Sequence, residues 1–291
     1  MDREYLIGVD VTFSKIEAGL VDLNGKVIKK ILLPTEAKRG KAKVIENIVT
    51  AINKMKKDRI LGVGISFPGQ VDAKRGIVVS SHIHGFENTG LKKIIEDKVN
   101  LPVSLENGAS CLAIAEYKIG FNKRFGTFVA ILADAGITSG IMIAGKLYKG
   151  VDVTPDFSHM IIESDGEKCA CGNIGCLDAM SNGIAIEKRY KQLAKKTKSF
   201  EEIINLTKSD KKARQVLQEA GRYFGIGLTN AALLINPDLI IVSGQLTNAK
   251  EYFETAVKEM QKNTKNMQRK IQILKSTTED AGILGASSIV M

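Results

Sequence analysis

No run of eighteen apolar residues occurs anywhere in the 291 positions, so the reading contains no membrane-spanning helix and no membrane partner. Aromatic residues are only 5% of the chain, and no basic stripe is interleaved with them, which argues against a base-stacking nucleic-acid module. There is no low-complexity stretch and no unstructured linker. Met1-Asp2-Arg3-Glu4 leads straight into a strand-like segment and lacks the pattern of a signal peptide. Cysteine and histidine are equally scarce, at four and three. So few thiols fit a reducing compartment, and a cytoplasmic protein is expected. What the chain does have is 44% hydrophobic residues, enough for one large or two medium cores. It also carries a net charge of +10. The lysines are spread over many predicted helices and read as a solvated surface.

The scarce residues are concentrated. His159, Cys169, Cys171 and Cys176 fall within eighteen positions. Three thiolates and one imidazole complete a tetrahedral zinc shell with no open position, the usual composition of a structural site. Gly172 and Gly175 let the chain turn tightly between the ligands. A disulfide fits less well, because Cys169 and Cys171 are too close to bridge comfortably and an odd thiol would remain. The fourth cysteine, Cys111, lies in an apolar helical run and reads as a small buried hydrophobe.

The periodicity predicts an α/β protein. Tyr5–Asp10, Lys15–Asp22 and Lys26–Leu33 read as strands, the last two joined at Asn24-Gly25, a strong hairpin signal. Val44, Ile45, Ile48, Ile52 and Met55 recur at helical spacing. A strand over Ile60–Ser66, a turn over Phe67–Gln70, a helix over Leu91–Val99, a strand over Val103–Glu106 and a helix from Gly108 follow. The pattern then recurs with strands at Phe128–Leu132, Gly140–Ile143, Leu239–Ser243 and Ile271–Leu274, separated by helices. Two similar halves are expected, residues 1–118 and 119–291, the second carrying the metal segment 156–178. A terminal helix over 280–291 is expected to pack back on the first half. Ligands in open α/β sheets bind beyond the carboxyl ends of strands. Those ends are Asp10, Ser66 to Gly69, Glu106 to Gly108, Leu132 to Gly136 and Ser243 to Gln245.

Nearly the whole chain resembles the ROK family (repressors, open reading frames and sugar kinases). The resemblance is carried by Ile7-Gly-Val-Asp10, Gly64-Ile-Ser-Phe-Pro-Gly-Gln-Val-Asp72, Leu105-Glu-Asn-Gly-Ala-Ser110, Asp156-Phe-Ser-His159, Cys169-x-Cys-Gly-x-x-Gly-Cys-Leu-Asp178 and Asp280-Ala-Gly-Ile-Leu-Gly-Ala286. It implies two ribonuclease H-like lobes, the actin-like and hexokinase-like ATPase fold, with an inserted zinc-binding segment. It also implies sugar contacts from Asn107, Asp156, His159 and Asp178. Asp10 and Gly136 are the positions expected at the nucleotide. His82 and His84 lie where the family brings a loop over the sugar. On a strand they would face the same way, but a two-histidine metal site lacks a third ligand, and they read instead as solvent-exposed loop histidines.

The chain departs from the family's kinases at the position of the general base, where the resemblance calls for an aspartate and Gly108 stands instead. Glycine cannot accept a proton, and loss of general-base assistance removes about 10²–10⁴ in rate. Thr12, Phe13 and Ser14 replace the first phosphate turn. Asp134 adds a negative charge at the second, and Ser243-Gly244-Gln245 replaces a glycine pair at the adenosine region. Asp156 and Asp178 are each one methylene shorter than the glutamates expected there. The resulting expectation is a ligand-sensing protein like the effector-binding portion of the family's transcriptional regulators, without kinase activity and without Mg-ATP as cofactor. A divergent ATP-dependent sugar kinase, of glucokinase or N-acetylhexosamine kinase type, is the alternative. A sugar or sugar derivative, structural zinc and a second copy in a homodimer are the expected partners. DNA contact is expected only if a helix-turn-helix lies outside this chain.

Overall fold

The structure is a computed structural model that describes residues 4–57, 59–151, 153–267 and 270–290. Its first strands are β1 (Tyr5–Val11), β2 (Lys15–Asp22) and β3 (Val27–Pro34), followed by helix α1 (Lys41–Met55) and β4 (Ile60–Phe67). A hairpin of β5 (Gln70–Asp72) and β6 (Ile77–Ser80) leads to α2 (Leu91–Val99), β7 (Val103–Asn107) and α3 (Gly108–Ala115). Next come β8 (Phe128–Ala133), β9 (Ile137–Ile143), β10 (Lys146–Leu147), α4 (Leu177–Ser181), α5 (Gly183–Ala194), α6 (Phe200–Leu206) and α7 (Lys211–Ile235). The chain closes with β11 (Leu239–Ser243), α8 (Lys250–Asn263), β12 (Gln272–Lys275) and α9 (Ala281–Ser288).

These elements group into two compact units. One comprises Met1–Gly126, Gly140–Pro155 and Thr277–Met291, the other Thr127–Ser139 and Asp156–Ser276. The division differs from the boundary expected after residue 118, because 119–126 and 140–155 join the first unit. Gly140 gives a physical reason. A Cβ there would lie 2.6 Å from the Ala109 carbonyl oxygen, so β9 runs directly against the backbone of α3.

The first unit is built on a sheet ordered β3-β2-β1-β4-β7, in which β1, β4 and β7 are parallel and β2 and β3 form an antiparallel meander. The Asn24-Gly25 hairpin forms as expected, with Gly25 at φ 81° and the Asp22 carboxylate accepting from the Asn24 and Lys26 N–H groups. Alternation along β1 gives each face a different task. Ile7, Val9 and Val11 enter a core with Val44, Ile48 and Ile52 of α1 and Ile95 of α2. On the other face Gly19, Gly8 and Gly64 stand side by side across β2, β1 and β4. Helix α9 lies on this row: a Cβ on Gly8 would meet the Ile283 carbonyl oxygen at 2.0 Å, and one on Gly64 the Ala286 oxygen at 1.7 Å.

The second sheet is ordered β10-β9-β8-β11-β12, with β8, β11 and β12 parallel. Strand β9 starts in the second unit, and its residues from Gly140 count with the first, where Met142 and Ile143 pair with β10. Helices α7 and α8 pack through Gly221 and Gly225, where a Cβ would fall 2.3 Å from the Tyr252 oxygen and 2.6 Å from the Ala256 oxygen. Among the described residues, no helix is long and apolar enough to cross a membrane. The β5–β6 hairpin and the π-helical turn Glu116–Gly120 that extends α3 are structural features with no counterpart in the sequence pattern.

Gly64→Ala tests the docking of α9. The added methyl overpacks a backbone contact, so a loss of at least about 1–3 kcal/mol is expected in urea unfolding. Gly90→Ala, at φ −70° with nothing within 4 Å of the new Cβ, is expected to stay within about 0.5 kcal/mol of the parent.

Candidate functional site

In the first unit the carboxyl ends of the three parallel strands bring Asp10, Ser66 and Glu106 into one row, since Asp10 pairs with Ser66 and Ser66 with Glu106. The Ser66 hydroxyl donates to Asp10 Oδ1 at 2.6 Å. Burial raises the pKa of Asp10 above the usual carboxylate range, against the lowering effect of that hydrogen bond. Burial likewise raises Glu106, whose Oε1 accepts from the Asn107 N–H at 2.9 Å and the Thr154 hydroxyl at 2.9 Å. Its Oε2 is buried with no hydrogen-bond partner. Cys111 is fully buried, and burial pushes its thiol well above the ordinary value, as suits a residue that packs as a small hydrophobe.

Asn107 ends β7 and caps α3, its Oδ1 accepting from the Ser110 N–H at 2.7 Å. Its Nδ2 and the Ser110 hydroxyl are buried and unpartnered, so two polar groups at this helix start still lack a mate. Gly108 is the first residue of α3 and adds no functional group beside them. The turn after β1 uses its polar groups on itself: the Thr12 N–H donates to the Lys15 carbonyl at 2.8 Å, and the Lys15 N–H to the Thr12 hydroxyl at 3.1 Å.

In the second unit His159, Cys169, Cys171 and Cys176 converge, with one ligand atom from each and all four atoms within 4.8 Å of one another. His159 Nδ1 lies 3.5 Å from Cys169 Sγ, and Cys171 Sγ lies 3.6 Å from Cys176 Sγ. The segment is folded by its own backbone. The Gly172 N–H donates to the Cys169 carbonyl, the Cys169 N–H to the Asn173 carbonyl, and Gly172 and Gly175 adopt φ of 98° and 73°. A Cβ on Gly175 would lie 1.5 Å from the Glu163 oxygen, so the position demands glycine. Burial and the neighbouring Cys171 push the Cys176 thiol up to about 12. Burial acts on Cys171 too, yet N–H donors including that of Asn173 hold its thiol below the usual value. Three thiolates cannot share this space without a cation, and the cluster could hold a metal ion.

The two carboxylates flanking the cluster have structural partners. Asp156 Oδ1 accepts from the Ser139 hydroxyl and the Ser158 N–H, each at 3.0 Å, and burial pushes Asp156 up to about 6. Asp178, in the first turn of α4, accepts from the Ile137 N–H at 2.7 Å and from Asn182 Nδ2 at 3.0 Å. Both therefore anchor the opening residues of β9. The preceding turn is also engaged, with the Asp134 N–H donating to the Gly136 carbonyl and the Gly183 N–H, at the start of α5, donating to the Asp134 carbonyl. Ser158, between Asp156 and His159, keeps a buried hydroxyl without a partner.

His82 and His84 lie beyond the end of β6, in a run of bends and turns, as expected of loop histidines, so strand alternation does not align them. His82 is partly buried and His84 exposed, and neither belongs to a metal-ligand group among the described residues. Ser139, Thr154 and Ser158 are site residues that sequence reasoning missed, because serine and threonine are too common to stand out by spacing. Ser66 was within reach as the carboxyl end of a predicted strand.

The ROK family model matches residues 6–291. The xylose repressor of Bacillus subtilis (strain 168) is 32% identical over 249 residues, covering 83% of this chain and 64% of the repressor. The chain thus spans under two thirds of that relative's length. The glucokinase of Thermotoga maritima is 28% identical over 311 residues, covering 100% of this chain and 98% of the enzyme. Among solved structures, a ROK family glucokinase from Streptomyces griseus in complex with glucose and AMPPNP has a TM-score of 0.86 at 26% identity, covering 98% of both chains.

The raised pKa of Asp10 makes a pH prediction. The folded state holds this proton more tightly than the unfolded chain does. Its ionisation therefore costs stability as pH rises from the ordinary carboxylate range through the raised pKa, and the cost persists above it. Asp10→Asn is expected to unfold at higher urea concentration than the parent at pH 8, with the difference shrinking toward pH 4. Equal midpoints at pH 8 would contradict it.

Proposed function

The chain belongs to the ROK family and has the α/β, actin-like ATPase fold of its sugar kinases, and on that premise we propose that it is a sugar-sensing, regulator-like protein that does not phosphorylate its ligand. The observation that carries this reading is Gly108, the first residue of α3, at the position where a general base would stand. Without a base, about 10²–10⁴ in rate is forgone. Glu106 is not given this role in this reading: it stands in β7, two residues before Gly108, and its Oε1 is held by the Asn107 N–H and the Thr154 hydroxyl. The self-bonded turn at Thr12–Lys15 and the carboxylate of Asp134 both work against a bound polyphosphate, the second by like charge.

A polyol ligand has donors and acceptors to meet. His159, with Nδ1 toward the cluster, has Nε2 for a ligand hydroxyl, while Asp156 and Asp178 offer carboxylates. We assign zinc to the cluster. A tetrahedral shell with Zn–S of about 2.3 Å and Zn–N of about 2.0 Å has S···S edges of about 3.8 Å and S···N edges of about 3.5 Å. The distances of 3.6 Å and 3.5 Å are close to these values. His159, Cys169, Cys171 and Cys176 would fill the shell of such an ion, which would then act as a structural clamp on the segment leading to Asp178.

A second reading, a divergent sugar kinase, is favoured by one observation. The fold matches that of a ROK family glucokinase from Streptomyces griseus, solved in complex with glucose and AMPPNP, at a TM-score of 0.86. A thermal-shift panel of sugars and sugar derivatives, with and without Mg-ATP, separates the readings. The expected result is a melting shift with one sugar class, unaffected by Mg-ATP and without ADP release. ADP release with that sugar by the unaltered chain would overturn the regulator reading. Metal analysis should return one zinc per chain, and Cys176→Ser should lose both the zinc and most of the sugar-induced shift. A zinc-free parent that still binds sugar would refute the clamp.

A further inference from the structure

The second unit gathers lysines that are dispersed in the sequence. Lys191, Lys195 and Lys196 end α5, with Lys195 as its left-handed cap at φ 57°. Lys208 stands in the turn after α6, and Lys211 and Lys212 open α7. All six are exposed. Two bonds draw these ends together: Lys212 Nζ donates to the Leu193 carbonyl at 3.2 Å, and the Tyr190 hydroxyl donates to Asp210 Oδ2 at 2.6 Å. The second of these, with the Lys212 N–H on Oδ1, turns the Asp210 carboxylate toward the protein. Nearby Lys188 and Lys198 have carboxylate partners in Glu167 and Glu202, whereas the ion pairs found among the described residues include none of the six.

Lysine in the first turn of a helix works against the helix dipole, and α7 is 25 residues long. Lys211 and Lys212 follow the N-cap Asp210, whose single carboxylate accepts from the Lys212 N–H, and place two ammonium groups at the positive end of that dipole. The corner concentrates positive potential, and a ligand with regularly spaced negative charges offsets it. The cations are lysines without interleaved aromatics. That composition suits the phosphates of a duplex, which need point charges, better than single-stranded bases, which need stacking platforms.

We propose that the corner formed by Lys191, Lys195, Lys196, Lys208, Lys211 and Lys212 is a sequence-independent contact surface for the phosphate backbone of duplex DNA. It does not depend on a helix-turn-helix, nor on the sugar-sensing reading. The test is fluorescence anisotropy of the full chain with a duplex of arbitrary sequence, titrated across salt from about 50 to about 200 mM. The patch variant carries Lys195→Glu, Lys196→Glu and Lys211→Glu. The control carries the same charge change at Lys26, Lys54 and Lys98, exposed lysines of the first unit. The patch variant is expected to weaken binding about tenfold or more at the lowest salt and to flatten the slope of log K against log salt by about three. The control is expected to keep most of the affinity and slope. Should the patch variant melt early, glutamine at the same three positions replaces glutamate, with the same expectation in smaller measure. Equal losses in patch and control variants would overturn the proposal in favour of bulk charge. So would absence of duplex binding by the parent, including the case in which it binds vesicles containing phosphatidylserine instead.

Discussion

The close approach of α9 to the row Gly19, Gly8 and Gly64 is the constraint on which the first unit depends. Three neighbouring strands lack side chains at one level, and the last helix fills that level, with its backbone over Gly8 and Gly64 and with the Ile283 side chain over Gly19. Two residues further along β1 and β4, on the same face, come Asp10 and Ser66, and Gly282 of α9 lies so near that a Cβ there would be 2.3 Å from Asp10 Oδ2. The same packing that secures the helix therefore buries the strand-end carboxylate and raises its pKa. Site chemistry and core packing are one problem at this edge of the sheet.

A different device organises the second unit. Here the metal-ligand segment and the turn before β9 share anchors, with Asp156 and Asp178 bonded to Ser139 and Ile137. A carboxylate held in this way has one oxygen engaged by the protein, which fixes where it points. A filled ligand shell supports a loop and performs no chemistry.

Much of the fold was legible because the sequence patterns are regular. The hairpin at Asn24-Gly25, the amphipathic stripe from Val44 to Met55 and the apolar strands followed by glycine turns each carry a local signal. The convergence of His159 with three cysteines was legible because these residue types are rare and their spacing is short. The role of Asp178 as an anchor for Ile137 was not, since its partner is a backbone N–H 41 positions away. His82 and His84 lie in a loop, as expected, and the residue that was not expected is His82, which is partly buried where the chain bends.

The sequence by itself determined the family, the four residues of the candidate metal cluster and the absence of a side chain at residue 108, since each is a matter of residue identity at a short, ordered spacing. Tertiary structure alone decided which buried groups stay unpartnered, as with Glu106 Oε2 and Asn107 Nδ2, because that depends on every neighbour at once. It also decided where the unit boundary falls, since close backbone approach groups residues 140–155 with a segment distant in the chain. And it gathered lysines from the end of one helix and the start of another into a single corner. Charge acts through distance in space, and spacing along the chain does not encode that distance.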